Sequence, residues 1–78
     1  MYNYCVIFIY DGNQYSQRCC LSLELTRETN SLILDDFANF MIEIYLQTNN
    51  LKKDGLKAHH VEITTGENME SIYKKENI

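Results

Sequence analysis

The chain has no proline and few glycines or cysteines, three of each among 78 residues. Without proline, no cis-prolyl bond or proline-fixed loop enters the fold. The glycines Gly12, Gly55 and Gly66 stand apart, which is typical of turns and not of a phosphate-binding loop. Three cysteines do not make a disulfide framework, and the first residues lack the basic and apolar regions of a signal peptide. Both features predict a reducing, cytoplasmic environment.

Basic residues are also scarce, since seven Lys and Arg stand against eleven Asp and Glu. The resulting net charge of −4 argues against a protein that binds nucleic acid directly through a basic face. The apolar runs are too short to span a bilayer, so no membrane segment is expected. A hydrophobic content of 45% is nevertheless ordinary for a folded protein. The sequence therefore predicts one small acidic domain over residues 1–78.

Residues 2–25 predict a β-hairpin. The first strand, 2–10, is apolar on both faces, with Cys5, Ile7 and Ile9 on the odd face. Residues 11–14, Asp-Gly-Asn-Gln, predict the turn. The return strand, 15–25, is apolar on one face only. Even positions of the first strand and odd positions of the second therefore share the predicted core face.

Residues 32–48 show the apolar periodicity of a helix. The residues expected to face the sheet are Ile33, Phe37, Phe40, Met41 and Ile44. Those expected opposite are Asp35, Asp36, Asn39, Glu43 and Gln47. The apolar arc spans roughly 200°, wider than the ~100° stripe that a surface helix needs, and Leu46 projects into the polar side.

Residues 56–65 predict a third strand, with Val61 and Ile63 facing inward. Within 67–78, Met69, Ile72 and Tyr73 recur at helical spacing and predict an optional short C-terminal helix. A helical crossover places strand three beside strand one, so the expected strand order is 2-1-3. The predicted class is α+β: a two-layer β-β-α-β domain with one helix on a three-stranded, mainly antiparallel sheet.

One helix covers only one face of such a sheet. The other face, with Cys5, Ile7 and Ile9, stays open unless residues 69–73 fold over it. Because exposed apolar patches usually mark contacts, these residues are the predicted interface for a homodimer or another protein, together with Tyr10 and Tyr15 near the turn. A sheet edge, through strand two or three, is a second route for pairing with another chain.

The helix offers a second candidate surface, an acidic stripe of Asp35, Asp36 and Glu43. Such a stripe could imitate nucleic-acid phosphate and occupy the basic groove of a nucleic-acid-binding complex. The alternative is an ordinary solvated helix face, with Asp35 and Asp36 near the positive end of the helix dipole.

The candidates for metal binding are Cys5, Cys19, Cys20, His59 and His60. Neighbouring strand residues point to opposite faces, and no zinc-type spacing occurs, so no metal or cofactor is predicted. If Tyr10 opposes Tyr15, then Cys5 opposes Cys20, and a cross-strand disulfide could form on oxidation. In the cytosol, however, free thiols are expected.

No catalytic motif stands out, so a non-enzymatic protein is expected. The leading hypothesis is a protein–protein interaction module that acts by surface occlusion, as a homodimer. Small phage or mobile-element inhibitors of the anti-CRISPR or anti-restriction type behave in this way, and the analogy is one of class. The alternatives are a small enzyme or metal-binding protein, or a small nucleic-acid-associated regulator that uses Arg18, Arg27, Lys52, Lys53 and Lys57.

Overall fold

A computed structural model describes residues 1–51 and 60–76. Its elements are β1 (Tyr2–Tyr10), β2 (Asn13–Leu21), α1 (Ser31–Thr48), β3 (His60–Thr65) and β4 (Ser71–Glu76). The strands pair antiparallel in the order β2-β1-β3-β4, and α1 packs across one face of the sheet. The two-layer α+β class and the position of the third strand beside the first are confirmed, with four strands in the sheet instead of three.

A two-residue turn joins β1 to β2. Asp11 and Gly12 have φ of 50° and 80°, values typical of a type I′ turn, whose twist matches that of antiparallel strands. Phe8 consequently faces Tyr15, so even positions of β1 share a face with odd positions of β2, as predicted. The predicted four-residue turn is wrong, because residues 13 and 14 already belong to β2.

This short turn also separates the cysteines that the sequence suggested as a pair. Cys5 faces Arg18, and Cys20 faces Asn3. The conditional Cys5–Cys20 pair is therefore ruled out, because it required Tyr10 to oppose Tyr15, and Tyr10 faces Asn13 instead. All three cysteines are free.

The core lies between α1 and the helix side of the sheet. Val6, Phe8 and Ile63, from the two inner strands, are completely buried. Asn30 caps the start of α1, since its Oδ1 accepts a hydrogen bond from the Leu32 backbone N–H at 2.8 Å. The buried residues of the helix are Leu34, Ala38, Met41, Ile42 and Leu46.

The orientation of α1 differs from the predicted one. Ile33 and Phe40, expected inside, are 51% and 60% exposed, whereas Leu46, expected on the polar side, is 2% exposed. An apolar arc of roughly 200° permits more than one orientation on a sheet. The observed one buries the small Ala38 in the core beneath the helix.

The C-terminal segment is a strand, so the predicted short helix is wrong. A bulge pairs Ile63 with Tyr73 and Thr64 with Ser71, which leaves Ile72 as the extra residue. Ile72 and Tyr73 both join the helix-side core. The bulge lets the adjacent residues Ile72 and Tyr73 both face the core. Because they follow Met69 by three and four residues, their spacing is the same as that of the apolar face of a helix.

β4 extends the sheet at its edge and does not cover Cys5, Ile7 and Ile9. The Tyr73 hydroxyl donates to Asp35 Oδ1 at 3.0 Å, which ties β4 to the helix. Of the predicted third strand, residues 60–65 are confirmed, and residues 56–59 lie outside the described part of the chain.

Alanine substitutions distinguish the two orientations of α1. Leu46→Ala should lower the free energy of unfolding by about 2–4 kcal/mol, because it leaves a cavity in the core. Phe40→Ala removes a larger side chain but should cost less than about 1 kcal/mol, since that side chain is mostly exposed. Urea denaturation followed by circular dichroism measures both. Equal costs, or the reverse order, would contradict the observed orientation.

A second pair of substitutions tests β4. Ile72 is 8% exposed and Met69 is 62% exposed. We expect Ile72→Ala to cost about 2–4 kcal/mol of stability and Met69→Ala less than about 1 kcal/mol. A helical turn with both side chains facing inward would instead make the two costs similar, and the same denaturation experiment separates these outcomes.

Candidate interaction surfaces

The face of the sheet turned away from α1 has an apolar centre. It is formed by Cys5, Ile7 and Ile9 of β1, and we call it the open sheet face. Cys5 is buried by its neighbours, while Ile7 and Ile9 are partly exposed. No element among residues 1–51 and 60–76 packs on this face. The structure therefore brings these three predicted residues together on one surface.

Polar side chains flank the apolar centre on both sides. On β3, Thr64 stands opposite Cys5 and Glu62 opposite Ile7. The residues of β2 that face the apolar centre are Gln14, Ser16 and Arg18. These neighbours screen part of the apolar strip, which is why Ile7 and Ile9 are only partly exposed.

Charged groups border the open sheet face along β3 and β4. His60 Nδ1 lies 3.4 Å from Glu76 Oε1, and His60 Nε2 lies 3.9 Å from Glu62 Oε1. Lys74 Nζ is 3.6 Å from the same Glu76 oxygen. The Lys74–Glu76 pair is exposed and adds little stability. These charged groups do give the face an apolar centre with a polar, charged border, which is the usual composition of a protein–protein contact.

Tyr10 and Tyr15 lie on the helix side of the sheet and not on the open sheet face. The Tyr15 ring centroid is 5.8 Å from that of Phe8 and 5.3 Å from that of Tyr45. The Tyr10 and Tyr15 centroids are 6.3 Å apart. These two predicted interface residues thus belong to an aromatic group beside the core, and they are not continuous with Cys5, Ile7 and Ile9.

The acidic residues of α1 do not form one free stripe. Asp35 Oδ1 accepts hydrogen bonds from the Tyr73 hydroxyl at 3.0 Å and from Lys75 Nζ at 3.3 Å. Burial, and then the hydrogen bond to Asp35, raises the pKa of Tyr73, so its hydroxyl remains a donor. Asp36 is exposed and Glu43 partly buried. Because Lys75 offsets the charge of Asp35, the anionic surface is smaller than predicted.

An apolar surface that the sequence placed in the core lies on the outside of α1. It consists of Ile33, Phe37, Phe40 and Ile44, and we call it the helix flank. Ile33 and Phe40 are exposed, while Phe37 and Ile44 pack partly against the core. The width of the apolar arc in the sequence indicates the helix flank, since a helix that is apolar over roughly 200° has more apolar surface than one sheet face covers.

Contacts of α1 show which way the helix flank points. The Asp35 side chain hydrogen-bonds to Tyr73 of β4. Tyr45, which lies about 80° from Asp35 around the helix axis, contacts Tyr15 of β2. Phe37 and Ile44 lie about 80–100° beyond Tyr45 in the same direction around the helix axis. The helix flank therefore leans over the β2 side of the sheet.

The neighbouring residues Cys19 and Cys20 point to opposite faces of β2. Cys19 packs against the core, and burial, followed by the nearby thiols, raises its pKa. Cys20 is exposed, and its Sγ donates to Asn3 Oδ1 at 2.6 Å. One metal ion therefore cannot bind both thiols.

No family model matches the chain, and no curated protein or solved structure matches it. Within residues 1–51 and 60–76, no group of three or more His, Cys, Asp or Glu is arranged to hold a metal ion, and His59 lies outside those residues. Nor is any helix in the described part of the chain long and apolar enough to cross a membrane. Among the described residues, the open sheet face and the helix flank are the candidate interaction surfaces.

Alkylation rates test the placement of the three thiols. With iodoacetamide at neutral pH, we expect Cys20 to react first, Cys19 more slowly and Cys5 only after unfolding. Cys19 is slowed because it is partly buried and its raised pKa leaves less thiolate at neutral pH. Peptide mass spectrometry measures each site, and a urea-denatured sample is the control. Cys19 reacting before Cys20 would contradict the register of β2.

Proposed function

We propose that the protein is a non-enzymatic interaction module that binds another protein through the open sheet face and occludes part of that partner's surface. The observation that carries this proposal is the apolar strip of β1, in which Ile7 and Ile9 are partly exposed, Cys5 is buried by its neighbours, and polar rows stand on both sides. The apolar centre supplies affinity by excluding water, and the polar border fixes the orientation of the partner.

The charged residues around the apolar strip restrict the kind of protein that can bind there. Arg18 lies on one side of the strip, and Glu62 and Glu76 lie on the other. Glu62 and Glu76 already lie near His60 and Lys74, so the feature expected of a complementary surface is an acidic group near Arg18. The net charge of −4 adds long-range attraction to a basic protein, such as a nucleic-acid-binding complex.

Within this proposal, the biological class is a small phage or mobile-element inhibitor of the anti-CRISPR or anti-restriction type. Such a protein acts by blocking a surface and needs no chemistry of its own. The proposed location is the cytoplasm, which the three free cysteines support.

Direct binding to nucleic acid has less support. Arg27 Nη2 is 3.1 Å from Glu70 Oε1, and Arg27 Nε donates to the Ser71 carbonyl at 3.0 Å, so this cation is already engaged. Arg18 lies on β2, at the opposite edge of the sheet. The remaining candidates, Lys52, Lys53 and Lys57, lie outside the described residues.

A DNA-protection assay tests the proposal. The protein is expressed in bacteria that carry a restriction or CRISPR system, and survival of incoming target DNA is counted. We expect the wild type to raise survival and Ile7→Lys to remove the effect, because a charge at the centre of the open sheet face prevents close apolar contact. Gln47→Lys, on the exposed side of α1, makes a matched control with a lysine elsewhere and should protect as the wild type does.

Two results would contradict the proposal. If the wild type protects DNA against none of the systems, the inhibitor class is wrong. If Ile7→Lys protects as well as the wild type, the open sheet face is not the contact. Filter binding of the pure protein to random DNA and RNA, at low and high salt, tests the nucleic-acid alternative separately.

A further inference from the structure

The two edges of the sheet differ in how they discourage pairing with another chain. β4 has six residues, lies at a bulge and ends in exposed Lys74, Lys75 and Glu76. Charges and bulges are the usual devices that block an edge. β2 has nine residues in unbroken register, and its one charged residue is Arg18. In the part of the chain that the structure describes, no strand pairs with the outer edge of β2.

The outer edge of β2 presents a regular row of backbone groups. In a hairpin closed by a two-residue turn, the pair beside the turn exchanges backbone hydrogen bonds, and every second pair repeats this. Odd-numbered residues of β2 therefore bond to β1. The residues whose N–H and C=O groups point outward are Gln14, Ser16, Arg18 and Cys20. In agreement with this, the Arg18 carbonyl accepts a hydrogen bond at 3.1 Å from the side chain of Gln17.

We propose that this edge binds a second copy of the chain, so that β2 pairs antiparallel with β2 of a partner subunit. Antiparallel pairing of identical edge strands requires a two-fold axis perpendicular to the sheet. Such an axis places both helices on one side of a continuous sheet and both open sheet faces on the other. The four strands of each subunit then form one sheet of eight.

The sequence of β2 favours one register. Gln17 is the middle residue of Asn13–Leu21, and placing it opposite the partner's Gln17 pairs all nine residues. About eight backbone hydrogen bonds then cross the seam, and Ser16 faces the partner's Arg18. A register centred on Arg18 would set two arginines directly opposite each other, which is destabilising.

The helix flank adds a second contact over the same seam. It leans over β2, so the two-fold axis brings the flanks of both subunits towards each other. The helix is centred over β1 and also contacts β2 and β3, so with strands about 4.8 Å apart the two helices would be roughly 14 Å apart across the axis. Side chains as large as Phe37 and Ile44 can bridge that gap, with Ile33 at its border. This apolar contact is what a strand pair alone lacks, since isolated strand pairs are marginal in water.

The homodimer does not depend on the proposed function, because it pairs the outer backbone edge of β2, whereas the proposed partner contact is centred on Ile7 and Ile9 of β1 and meets β2 only at its border. A dimer that protects no DNA would contradict only the proposed function. A monomer that still protects DNA would contradict only the dimer.

Charge substitutions at one position test the register without disturbing the core. Ser16 is exposed. In the proposed register, Ser16 of each subunit faces Arg18 of the other, so the contact occurs twice in the dimer. We expect Ser16→Glu to tighten the dimer by about threefold to tenfold and Ser16→Lys to weaken it by a similar factor. Sedimentation equilibrium measures the dissociation constant of each variant and of the wild type. A wild type that stays monomeric up to about 1 mM, or variants that shift in the same direction, would overturn the proposal.

Cysteine cross-linking provides the second test. In a background with Cys19→Ser and Cys20→Ser, Gln17→Cys places two thiols opposite each other at the two-fold axis. We expect rapid oxidation to a covalent dimer, because directly opposed residues lie within disulfide reach. The matched control, Ser16→Cys, should stay largely monomeric, since its symmetry mate lies roughly 8 Å away, beyond that reach. Cross-linking of Ser16→Cys but not of Gln17→Cys on a non-reducing gel would overturn the register.

Discussion

Positive φ at Asp11 and Gly12 fixes the hairpin, and the hairpin decides where most of the other side chains lie. The space around Gly12 is open, so glycine is needed there for its backbone conformation and not for lack of room. If the turn also took up Asn13, so that Tyr10 paired with Gln14, every side chain of β2 would move to the opposite face. Tyr15 and Cys19 would leave the core side, and Arg18 would enter it. The open sheet face, the aromatic group and the outward row of backbone groups all depend on this turn.

The existence of α1 could be predicted from the sequence, but its orientation could not. The expected start at residue 32 is one residue from the observed start at Ser31, because Asn30 is a good cap and the apolar spacing is regular. The orientation depends on which part of a wide apolar arc fits the sheet. That choice involves contacts such as Tyr4 with Phe37 and Phe8 with Tyr45, whose rings come from distant parts of the chain.

The open sheet face was also only partly predictable from the sequence. Strict alternation in β1 was enough to predict that Cys5, Ile7 and Ile9 share one face. Its charged border was not predictable, since His60 meets Glu76 only through the pairing of β3 with β4. That pairing includes a bulge, and a bulge breaks the alternation on which strand patterns rest. For this reason the spacing of Met69, Ile72 and Tyr73 suggested a helix.

The charged, bulged edge of β4 also bears on how far self-association can proceed. If both edges of the sheet accepted a neighbour, each added copy would offer a fresh edge, and the chain would grow into open-ended fibrils. Lys74, Lys75 and Glu76 make one end of the sheet a poor template. In the proposed dimer, association through β2 would therefore stop at two copies, because each subunit's other sheet edge is blocked.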